Sequence, residues 1–456
     1  MISTTQFRPF QLSQMLLLPP NMRDWLPDDH LVYFLLDVVR ELDLSAIYAT
    51  YNGTKGGQPP FDPRMMVGLL LYAYCVGTAS SRKIEQATYE EVPFRVLTAD
   101  QHPDHDTIAE FRRRHLLALS ALFLQVLRLC REAGLVRLGH VALDGTKMRA
   151  NASKHKAMSY GRMDGKIVEL EAQIGQIMAE AEALDQAEDA RHGTGRRGDE
   201  WPQELQFRQR RLEKIRQAKA ALETEAKQKA EQIRQEGENR PRPEEGPSPV
   251  KQGPAPDPTP PAKAQKNFTD PDSRIMKDGA SKAFEQCYNG QAAVDDKAQV
   301  IVAADVTQQA NDKQQVQPMV LQMKENLGGA VPEAMTADAG YFSEKNVDFL
   351  DGQQIDGYLA VDRQKHGPAA PEAIPDDAVE GAKARMLCKL HTPRGRQTYR
   401  MRKAIVEPVF GQTKSCRGFR GFLLRGLENV RAEWRLICTG HNLLKLFRSG
   451  WAAKLA

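Results

Sequence analysis

The stretch Gly139–Arg149 constrains this chain more than any other, because it predicts a buried strand that carries a carboxylate. A short apolar run is bounded by glycines and ends on Asp144. Turns and helix caps use Asp as often, so Asp144 alone is weak evidence for a catalytic site. The evidence for a catalytic site is strengthened by a second strand that ends on an aspartate, Met335–Asp338, and by a glutamate in a basic helix, Glu407. The sequence thus raises a spatial hypothesis, that these three carboxylates meet.

The length and the charge distribution bound the class of protein. With 456 residues the chain is too long for one ordinary core, so we expect two or three folded units. The net charge is only +4, yet the segment from Arg385 to Arg448 contains 15 Lys or Arg and 3 acidic residues. A basic C-terminal block on a mildly acidic remainder indicates a polyanionic partner.

Cysteine spacing and hydropathy indicate the compartment. The six cysteines lie far apart, with no C-x-x-C pair and no neighbouring His cluster, which disfavours a zinc ribbon or a disulfide framework and fits a reducing cytoplasm. Residues 1–30 have no signal-peptide pattern, and the most apolar window, Met65–Val76, is too short to cross a bilayer. We expect a soluble cytoplasmic protein with no membrane partner.

Residues 1–135 are predicted to form an all-helical domain. Apolar periodicity and capping residues indicate these helices: Asp28–Leu42, Met65–Cys75 after the N-cap Asp62 and Pro63, one from Ser80 or Ser81 to about Tyr89, and Thr107–Arg131 after Asp106. The last helix holds Arg112, Arg113 and Arg114, a cluster that fits DNA contact and a solvated helix face equally well. The nearby acidic pair Glu90 and Glu91 could instead neutralise it. Arg112 and Arg113 are therefore candidate DNA-binding residues.

Residues 165–235 have the pattern of a coiled-coil helical hairpin inserted into the chain. The first helix carries an apolar seam at alternating spacings of three and four residues: Ile167, Leu170, Ile174, Ile177, Ala181 and Leu184. After a Gly-rich break at Gly193–Gly198, a second helix carries a matching seam from Leu212 to Ile233. A spacer, a dimer contact and a contact with a DNA end are all open as its role. Residues 236–273, rich in proline, predict a flexible or polyproline linker.

Segments 136–164 and 274–450 are predicted to form an α/β domain. After the Asp144 strand the pattern gives two strands joined by a tight turn, then helix, strand, helix and strand: Cys287–Val294, Gln299–Val306, Asn311–Leu327, the Met335 strand, Ser343–Leu350 and Gly357–Val361. A loop, a β-hairpin and a final helix are expected at Pro368–Gly381, Lys389–Tyr399 and Val430–Phe447. This order predicts a sheet with helices on its faces, and ligands at its strand ends.

Three carboxylates at one sheet edge would have a definite chemistry. Asp144, Asp338 and Glu407 supply the hard oxygen ligands that Mg²⁺ or Mn²⁺ prefers, with water and a substrate phosphate completing the shell. A pair of such ions can activate an attacking water or 3′-hydroxyl and stabilise the leaving oxygen of a phosphodiester. The basic surface beside Glu407 favours such an anionic substrate over a neutral one.

The surroundings of Glu407 contain two lysines at helical spacing. Lys403 precedes it by four residues and Lys414 follows it by seven, so all three share one helix face. Phosphate binding by these lysines fits this pattern. Simple ion pairing with Glu407 on the surface fits it as well, and the segment alone does not separate the two.

The segment from Tyr399 to Lys414 resembles a signature of bacterial insertion-sequence DDE transposases, Y-x-x-R-x-x-x-E-x-x-x-x-x-x-K. Tyr399 and Arg402 match its first half, and Glu407 and Lys414 match the rest. Four residues, not three, separate Arg402 from Glu407, and Lys403 has the expected offset, so either cation could fill the arginine position. Further segments are similar to the family: Leu16–His30, Gly57–Tyr72, Thr269–Arg274, Tyr288–Val294 and Arg417–Leu446.

The resemblance implies an RNase H-like catalytic domain of the retroviral integrase type, with Asp144 on its first strand, Asp338 after its fourth and Glu407 on a later helix. It implies two Mg²⁺ or Mn²⁺ ions held by these three residues. Lys414, Tyr399 and either Arg402 or Lys403 would contact DNA. The partners would be double-stranded DNA, both as terminal inverted repeats and as target, and further copies in a homodimer or larger synaptic complex. The protein would then associate with the nucleoid while bound to DNA.

Two other functions stay open. One is a non-catalytic DNA-binding protein derived from a transposase, which the presence of all three acids disfavours. The other is an RNase H-like nuclease that cuts without joining. For either enzyme the three carboxylates should lie about 4–7 Å apart, given the separation of about 3.5–4 Å between paired metals. Pro408 also predicts that Glu407 lies near a helix start or bend, because proline fits only a first turn without a kink.

Several other polar residues compete for the site. Four further aspartates are interpreted as turn or capping residues, since neither the strand order nor the family pattern places them centrally: Asp295, Asp296, Asp305 and Asp312. His140 and His441 could contact substrate, although a structural histidine with satisfied hydrogen bonds is more common.

Overall fold

The computed structural model describes residues 21–51, 59–192, 203–238, 257–277, 282–361 and 381–451. The chain divides into two compact units, one of Met1–Ala133 with Thr439–Ala456 and the other of Gly134–Cys438. The predicted helical domain ends at 135, close to the first boundary, whereas the predicted catalytic domain ends at 450, beyond Cys438. The glycine-rich hairpin loop, nearly all of the loop from Pro368 and residues 239–256 of the predicted proline-rich linker lie outside the described residues. The prediction of a flexible linker up to residue 273 is wrong at its C-terminal end, because Gln265–Asn267 form a paired strand.

The described secondary-structure elements of the first unit are all helices. Its helices are α1 (Leu31–Glu41), α2 (Ser45–Tyr48), α3 (Pro63–Val76), α4 (Ser81–Glu90), α5 (Val92–Leu97), α6 (His105–Arg114) and α7 (Leu116–Glu132). The predicted start of α3 is confirmed, because Asp62 accepts a hydrogen bond of 2.7 Å from the backbone N–H of Arg64 and Pro63 is the first helical residue. Leu69, Leu70 and Leu71 of α3 are fully buried and belong to the core of this unit.

The prediction of one helix over Thr107–Arg131 is wrong, because the chain leaves the helical conformation at His115. The backbone of His115 has φ −106° and ψ 17°, and it ends α6 and precedes α7. Its imidazole is buried and stacks on Tyr51, with ring centroids 5.7 Å apart. The first helix is capped by Asp104 rather than Asp106, since the Asp104 carboxylate accepts from the backbone N–H of Thr107 at 2.7 Å.

The second unit contains a mixed sheet. Its described strands are β1 (His140–Arg149), β2 (Ala157–Ser159), β3 (Gln265–Asn267), β4 (Arg274–Lys277), β5 (Phe284–Asp295), β6 (Ile301–Thr307), β7 (Ala334–Ala337) and β8 (Asp356–Leu359). In the main sheet β5, β1, β7 and β8 are neighbours in that order, and the far side of β5 pairs with β4 and β6. The pairs made by β5 are antiparallel, whereas β1–β7 and β7–β8 are parallel. The five strands predicted before residue 362 are therefore present, and β2 and β3 form a separate small ribbon.

The helices of this unit include α10 (Val316–Asn326), α11 (Glu344–Gly352), α12 (Ala382–His391), α13 (Pro393–Gly411) and α14 (Leu427–Arg448), of which the last continues into residues of the first unit. The predicted β-hairpin over Lys389–Tyr399 is wrong. Thr392 accepts from the backbone N–H of Gly395 at 2.9 Å, and Pro393 begins α13. Pro-Arg-Gly, interpreted as a turn, is thus the first turn of a capped helix.

The predicted pair of long helices is present as α8 (Tyr160–His192) and α9 (Gln203–Glu238). Their seam is buried at Leu170 and Ile215, as the spacing predicted. Arg216 pairs with Glu171, and Lys219 with Asp164, so the helices run antiparallel. Within the described residues no helix is long and apolar enough to span a membrane.

Candidate active site

Parallel pairing of β1 with β7 brings Asp144 and Asp338 together. Leu143 pairs with Ala337, so the two aspartates occupy the next positions along adjacent strands, which lie about 4.8 Å apart. At this point β7 ends, and the Asp338 carboxylate accepts from the backbone N–H of Gly340 at 2.8 Å. The expectation that β1 ends at Asp144 is wrong, since its pairing with β5 continues to Arg149. The two acids therefore share one sheet edge, with Asp144 inside its strand.

The Asp144 carboxyl lies in an environment that favours its protonated form. Burial raises its pKa to about 6, and the negative charge of Asp338 raises it further, against the opposing effect of Arg402. Only 18% of its side chain is exposed. A cation bound between the two aspartates would reverse this preference, since an opposite charge favours the ionised form. The donor set therefore fits a divalent cation with hard oxygen ligands.

Glu407 is linked to this edge of the sheet by an arginine that contacts both Glu407 and Asp144. Arg402 of α13 lies 2.9 Å from the Asp144 Oδ2 through one guanidinium nitrogen and 3.8 Å from the Glu407 Oε1 through the other. The arginine is buried, and its Nε is one of the few buried polar side-chain atoms without a hydrogen-bond partner in the described part of the chain. Glu407 is 54% exposed. One cationic group thus joins two of the three predicted acids.

Pro408 does not place Glu407 near a helix start. Glu407 is followed by Pro408 inside α13, four residues from the helix end. Proline lacks an N–H, so the carbonyl of Ala404, four residues earlier, loses its helical donor. Gln299 supplies the replacement through its Nε2 at 2.9 Å. This contact explains how the helix continues through the proline.

The three predicted carboxylates are not a ready-made ion site. In the ranges that the structure describes, no group of three His, Cys, Asp or Glu side chains could hold a metal ion as it stands. The Arg402 guanidinium lies between Asp144 and Glu407 instead. The spacing of about 4–7 Å expected for metal ligands remains a prediction for the ion-bound form.

A fourth acid, Asp312, lies among these residues, and the sequence interpretation missed it. A Cβ on Gly145 would lie 2.8 Å from the Asp312 Oδ1. A Cβ on Gly340 would lie 3.4 Å from the Asp312 Oδ2 and 2.9 Å from the Asp338 Oδ1. Asp312 therefore packs against the backbone beside both aspartates. The signal in the sequence is the glycine that closely follows each of them, because glycine permits such a close approach.

Asp312 is held by buried amides. Asn289 and Gln291 of β5 donate to its Oδ1 at 2.6 Å and 2.7 Å, and both are fully buried. Gln291 in turn accepts from the hydroxyl of Tyr341, whose pKa is raised far above its ordinary value by burial and by the nearby acids. The phenol is therefore a neutral donor. This network explains the Asn-Gly-Gln part of the Tyr288–Val294 segment, and the interpretation of Asp312 as a mere turn residue is wrong.

The cations of the signature have different surroundings. Arg402 is buried at Asp144, whereas Lys403 is exposed, so of the two cations Arg402 is the better candidate for the arginine position of the signature. Tyr399 is half-buried, with its ring centroid 5.9 Å from the Arg402 guanidinium carbon. Lys414 donates to the backbone carbonyl of Lys147 on β1 at 2.7 Å. Lys414 is therefore tied to the strand that carries Asp144.

Arg112 and Arg113 of the first unit differ sharply. Arg112 is 6% exposed and donates to the carbonyl of Ala79 at 2.7 Å, so its guanidinium is engaged inside the helical unit rather than exposed for DNA contact. Arg113 is 75% exposed and pairs with Glu110 at 2.6 Å. Of these two arginines, Arg113 remains the candidate for DNA contact.

The other polar residues that could compete for the site make structural contacts, although Asp305 lies within β6 and not in the predicted turn or cap. The Nε2 of His140 and the Oγ1 of Thr336 form a hydrogen bond of 2.9 Å in the sheet interior. His441 is buried. Asp305 pairs with Arg431 at 3.0 Å. Asp295 accepts from backbone N–H groups that include that of Leu138, and Asp296 pairs with Arg137. None of these contacts involves Asp144 or Asp338.

Comparison with known proteins gives two family matches in chain order. The family model described as Transposase domain (DUF772) matches residues 20–114, and the one described as Transposase DDE domain matches residues 256–443. Neither the curated proteins nor the solved structures gave a match. The first match covers most of the helical unit, and the second covers β7, α13 and the residues around Asp338 and Glu407.

Proposed function

The chain belongs to the DDE transposases of insertion sequences, and we propose that it binds the ends of its own element, cleaves the DNA there and joins the freed 3′ ends to target DNA. The observation that carries this proposal is the register of β1 and β7, which places Asp144 beside Asp338. The contact of Arg402 with both Asp144 and Glu407 supports it.

The topology supports an RNase H-like fold of the integrase type for the second unit. The strand order is β6, β5, β1, β7 and β8, in which β5 runs antiparallel to both of its neighbours, β6 and β1, and β7 and β8 run parallel to β1. In chain order, Asp144 lies on the first of these five strands, β1, and Asp338 directly follows the fourth, β7. These are the positions that the family resemblance implies for the first two acids.

Asp144, Asp338 and Glu407 would hold Mg²⁺ or Mn²⁺, with two ions expected. When bound, such ions activate the attacking oxygen and stabilise the leaving oxygen of a phosphodiester. Asp144 and Asp338 are fixed by their strands, and the exposed side chain of Glu407 can turn toward them. Asp312 keeps the backbone beside both aspartates in place through its contacts with Asn289 and Gln291.

The cations would position the DNA. Arg402 is held at the carboxylates by charge, and its Nε has no hydrogen-bond partner among the described residues, so a phosphate oxygen is a natural additional acceptor. Lys414 lies beside β1 and adds positive charge near the reacting group. Lys403, which is exposed, would contribute only to the surrounding field.

The other parts of the chain would support DNA binding and assembly. The helical unit would contact element ends through exposed cations such as Arg113, and the α8–α9 hairpin would act as a spacer or a partner contact. Two ends must be cut and joined together, so a homodimer or larger synaptic complex is expected. The DNA partners are the terminal inverted repeats and the target duplex.

A strand-transfer assay tests the proposal. The donor is a duplex from the inverted repeats that flank the gene, the target is plasmid DNA, and reactions contain Mg²⁺ or a chelator. Wild-type protein should attach donor ends covalently to the target only with Mg²⁺, and Asp144→Asn should abolish the product. Asp305→Asn is the matched control, because Asp305 pairs with Arg431 rather than with the site.

The contrary outcomes distinguish a wrong site assignment from each of the two other functions. Equal activity of wild type and Asp144→Asn would refute the site assignment. Cut donor DNA without joined product would indicate a nuclease that does not transfer strands. Tight binding to the repeats without cleavage would indicate a non-catalytic DNA-binding protein.

A further inference from the structure

Two segments that lead away from the candidate active site meet each other. β1 continues beyond Asp144 to Arg149, and the chain that follows α13 passes through a π-helical turn, Gln412–Cys416, and returns to β1. Arg149 and Gly421 form an isolated parallel bridge, in which Phe422 donates its N–H to the Arg149 carbonyl at 2.8 Å. The strand that carries Asp144 and the segment that follows the Glu407 helix therefore converge at one place.

The charged side chains at this junction are all basic. Segments 149–156 and 418–426 contain five Lys or Arg and no Asp or Glu, although acidic and basic residues are nearly balanced in the whole chain. We call these five exposed residues the basic strip: Arg149, Lys154, Lys156, Arg420 and Arg425. Among acidic residues outside the two segments, Glu285 pairs with Lys154 at 3.4 Å, whereas Glu433 and Asp270 accept from backbone N–H groups of segment 418–426. The side chains of Glu285 and Lys154 are 35% and 45% exposed, so that pair neutralises the strip only weakly.

The backbone under the strip is fixed. Glu433 is buried and accepts from the N–H groups of Leu423 and Leu424 at 3.0 Å and 2.9 Å. Asn151 donates to the Leu423 carbonyl at 2.6 Å, and Arg425 donates to the Asn151 carbonyl at 2.9 Å. Because the surface is already ordered, binding a partner there costs little loop entropy.

The close approach of the two segments also depends on a glycine. A Cβ on Gly421 would lie 2.9 Å from the Arg149 carbonyl oxygen, so no other residue fits without displacing β1. The arrangement that presents the cations is thus built into the chain at this position. It is a preformed cationic surface joined directly to the strand of the candidate active site.

We propose that the basic strip binds the phosphate backbone of the DNA that adjoins the reacting phosphodiester. Arg149 follows Asp144 by five residues, which is about 16 Å along a strand. At about 3.4 Å per nucleotide of one DNA strand, this corresponds to roughly five phosphates from the scissile bond. The proposal rests on the proposed function of the Asp144 site. A surface of lysines and arginines predicts contact with phosphates irrespective of base sequence.

The test is the salt dependence of DNA binding, measured by fluorescence anisotropy with a labelled duplex of mixed sequence. The strip variant combines Lys154→Gln, Lys156→Gln and Arg420→Gln. Its slope of log affinity against log salt, between about 50 and 200 mM, should be smaller than that of wild type by about one for each phosphate that the variant no longer neutralises. The control combines Arg210→Gln, Arg211→Gln and Lys214→Gln on exposed positions of α9, and should keep the wild-type slope.

A wild-type slope in the strip variant, or an equal decrease in the α9 control, would overturn the proposal. Thermal unfolding of each variant establishes that it is folded, and the charge-preserving variant with Lys154→Arg, Lys156→Arg and Arg420→Lys should restore the slope. The Asp144→Asn variant separates this proposal from the proposed function. If it abolishes strand transfer while the strip variant binds like wild type, the strip is refuted and the catalytic site stands; if it keeps strand transfer, the proposed function fails whatever the slope.

Discussion

Two buried arginines, one in each compact unit, show how a structural cation differs from a cation at the candidate active site. Arg112 and Arg402 are 6% and 8% exposed, and the sequence makes both candidates for DNA contact. Arg112 donates to neutral oxygens, chiefly the Ala79 carbonyl at 2.7 Å. Arg402 faces the carboxylates of Asp144 and Glu407 and has an Nε without a partner within the described residues. Neutral, satisfied partners indicate a role in folding, whereas clustered acids and an unused donor indicate a site prepared for a ligand.

The largest effect is expected at Arg402. Arg402→Gln removes the cation next to the reacting group, and strand transfer should fall by about 10²–10³-fold, the decrease typical of one electrostatic contact in an active site. The measurement is the initial rate of joined product at saturating DNA. Lys403→Gln, an exposed neighbour, is the control and should stay near wild type. A decrease at Lys403 as large as at Arg402 would mean that the signature spacing, not burial, identifies the catalytic cation.

The second effect concerns the stability of the metal-free protein as a function of pH. The pKa of Asp144 is about 6 in the folded protein against 3.8 for an ordinary Asp, so folding favours the protonated form. Its contribution is fully present below about pH 4 and is lost as the pH rises through about 6, a change of roughly 3 kcal/mol. Denaturant unfolding with a chelator, compared between wild type and Asp144→Asn, measures it. Parallel profiles for the two proteins would contradict the raised pKa.

A smaller effect is expected from Asp312, which lies beside the candidate active site. Asp312→Asn exchanges an acceptor for an amide that faces the donors of Asn289 and Gln291. The backbone beside Asp144 and Asp338 should then shift, and strand transfer should fall about 10–100-fold, as for other residues that support metal ligands. Titration with Mn²⁺, followed by its electron paramagnetic resonance signal, should show weaker binding. Unchanged Mn²⁺ affinity together with wild-type activity would show that Asp312 only shapes its turn.

The smallest effect is the one at Arg112, and it should appear in stability rather than activity. Arg112→Gln leaves the Ala79 carbonyl without its donor, which should lower the free energy of unfolding by about 1–3 kcal/mol. DNA affinity of the folded fraction should not change. Arg113→Gln, at an exposed position, should instead lower the DNA affinity and leave the free energy of unfolding near that of wild type. A decrease in DNA affinity without a decrease in stability in Arg112→Gln would remove the distinction between the two buried arginines.

Local features of the fold were predictable from the sequence. The Asp62 cap with Pro63, the strand that carries Asp144 and the seam of the α8–α9 pair each depend on residues that are close in the chain. Predictions were wrong where one sequence pattern fits two different local structures. Around Pro393 the residues fit a turn, but Thr392 caps a helix there. His115 interrupts an apparently continuous helix because its buried ring packs on Tyr51.

The site was predictable only in part, because its assembly depends on contacts between distant residues. Asp144, Asp338 and Glu407 could be named from strand ends and a signature. Asp312 could not be chosen over other acids, since its role follows from packing against Gly145 and Gly340 and from the amides of β5. The contacts of Arg112 and Arg402 could not be told apart for the same reason, because the partners of a buried guanidinium are set by tertiary structure.

The proposed chemistry requires that Asp144 and Asp338 share a divalent cation at the edge of the sheet. Anomalous diffraction from crystals soaked in Mn²⁺ would reveal such an ion. We expect a strong peak within ligand distance of both carboxylates, with the Arg402 guanidinium moved away from Asp144, and no peak in crystals of Asp144→Asn. A peak elsewhere, or none in the wild-type crystals while Arg402 stays bonded to Asp144, would contradict a shared ion.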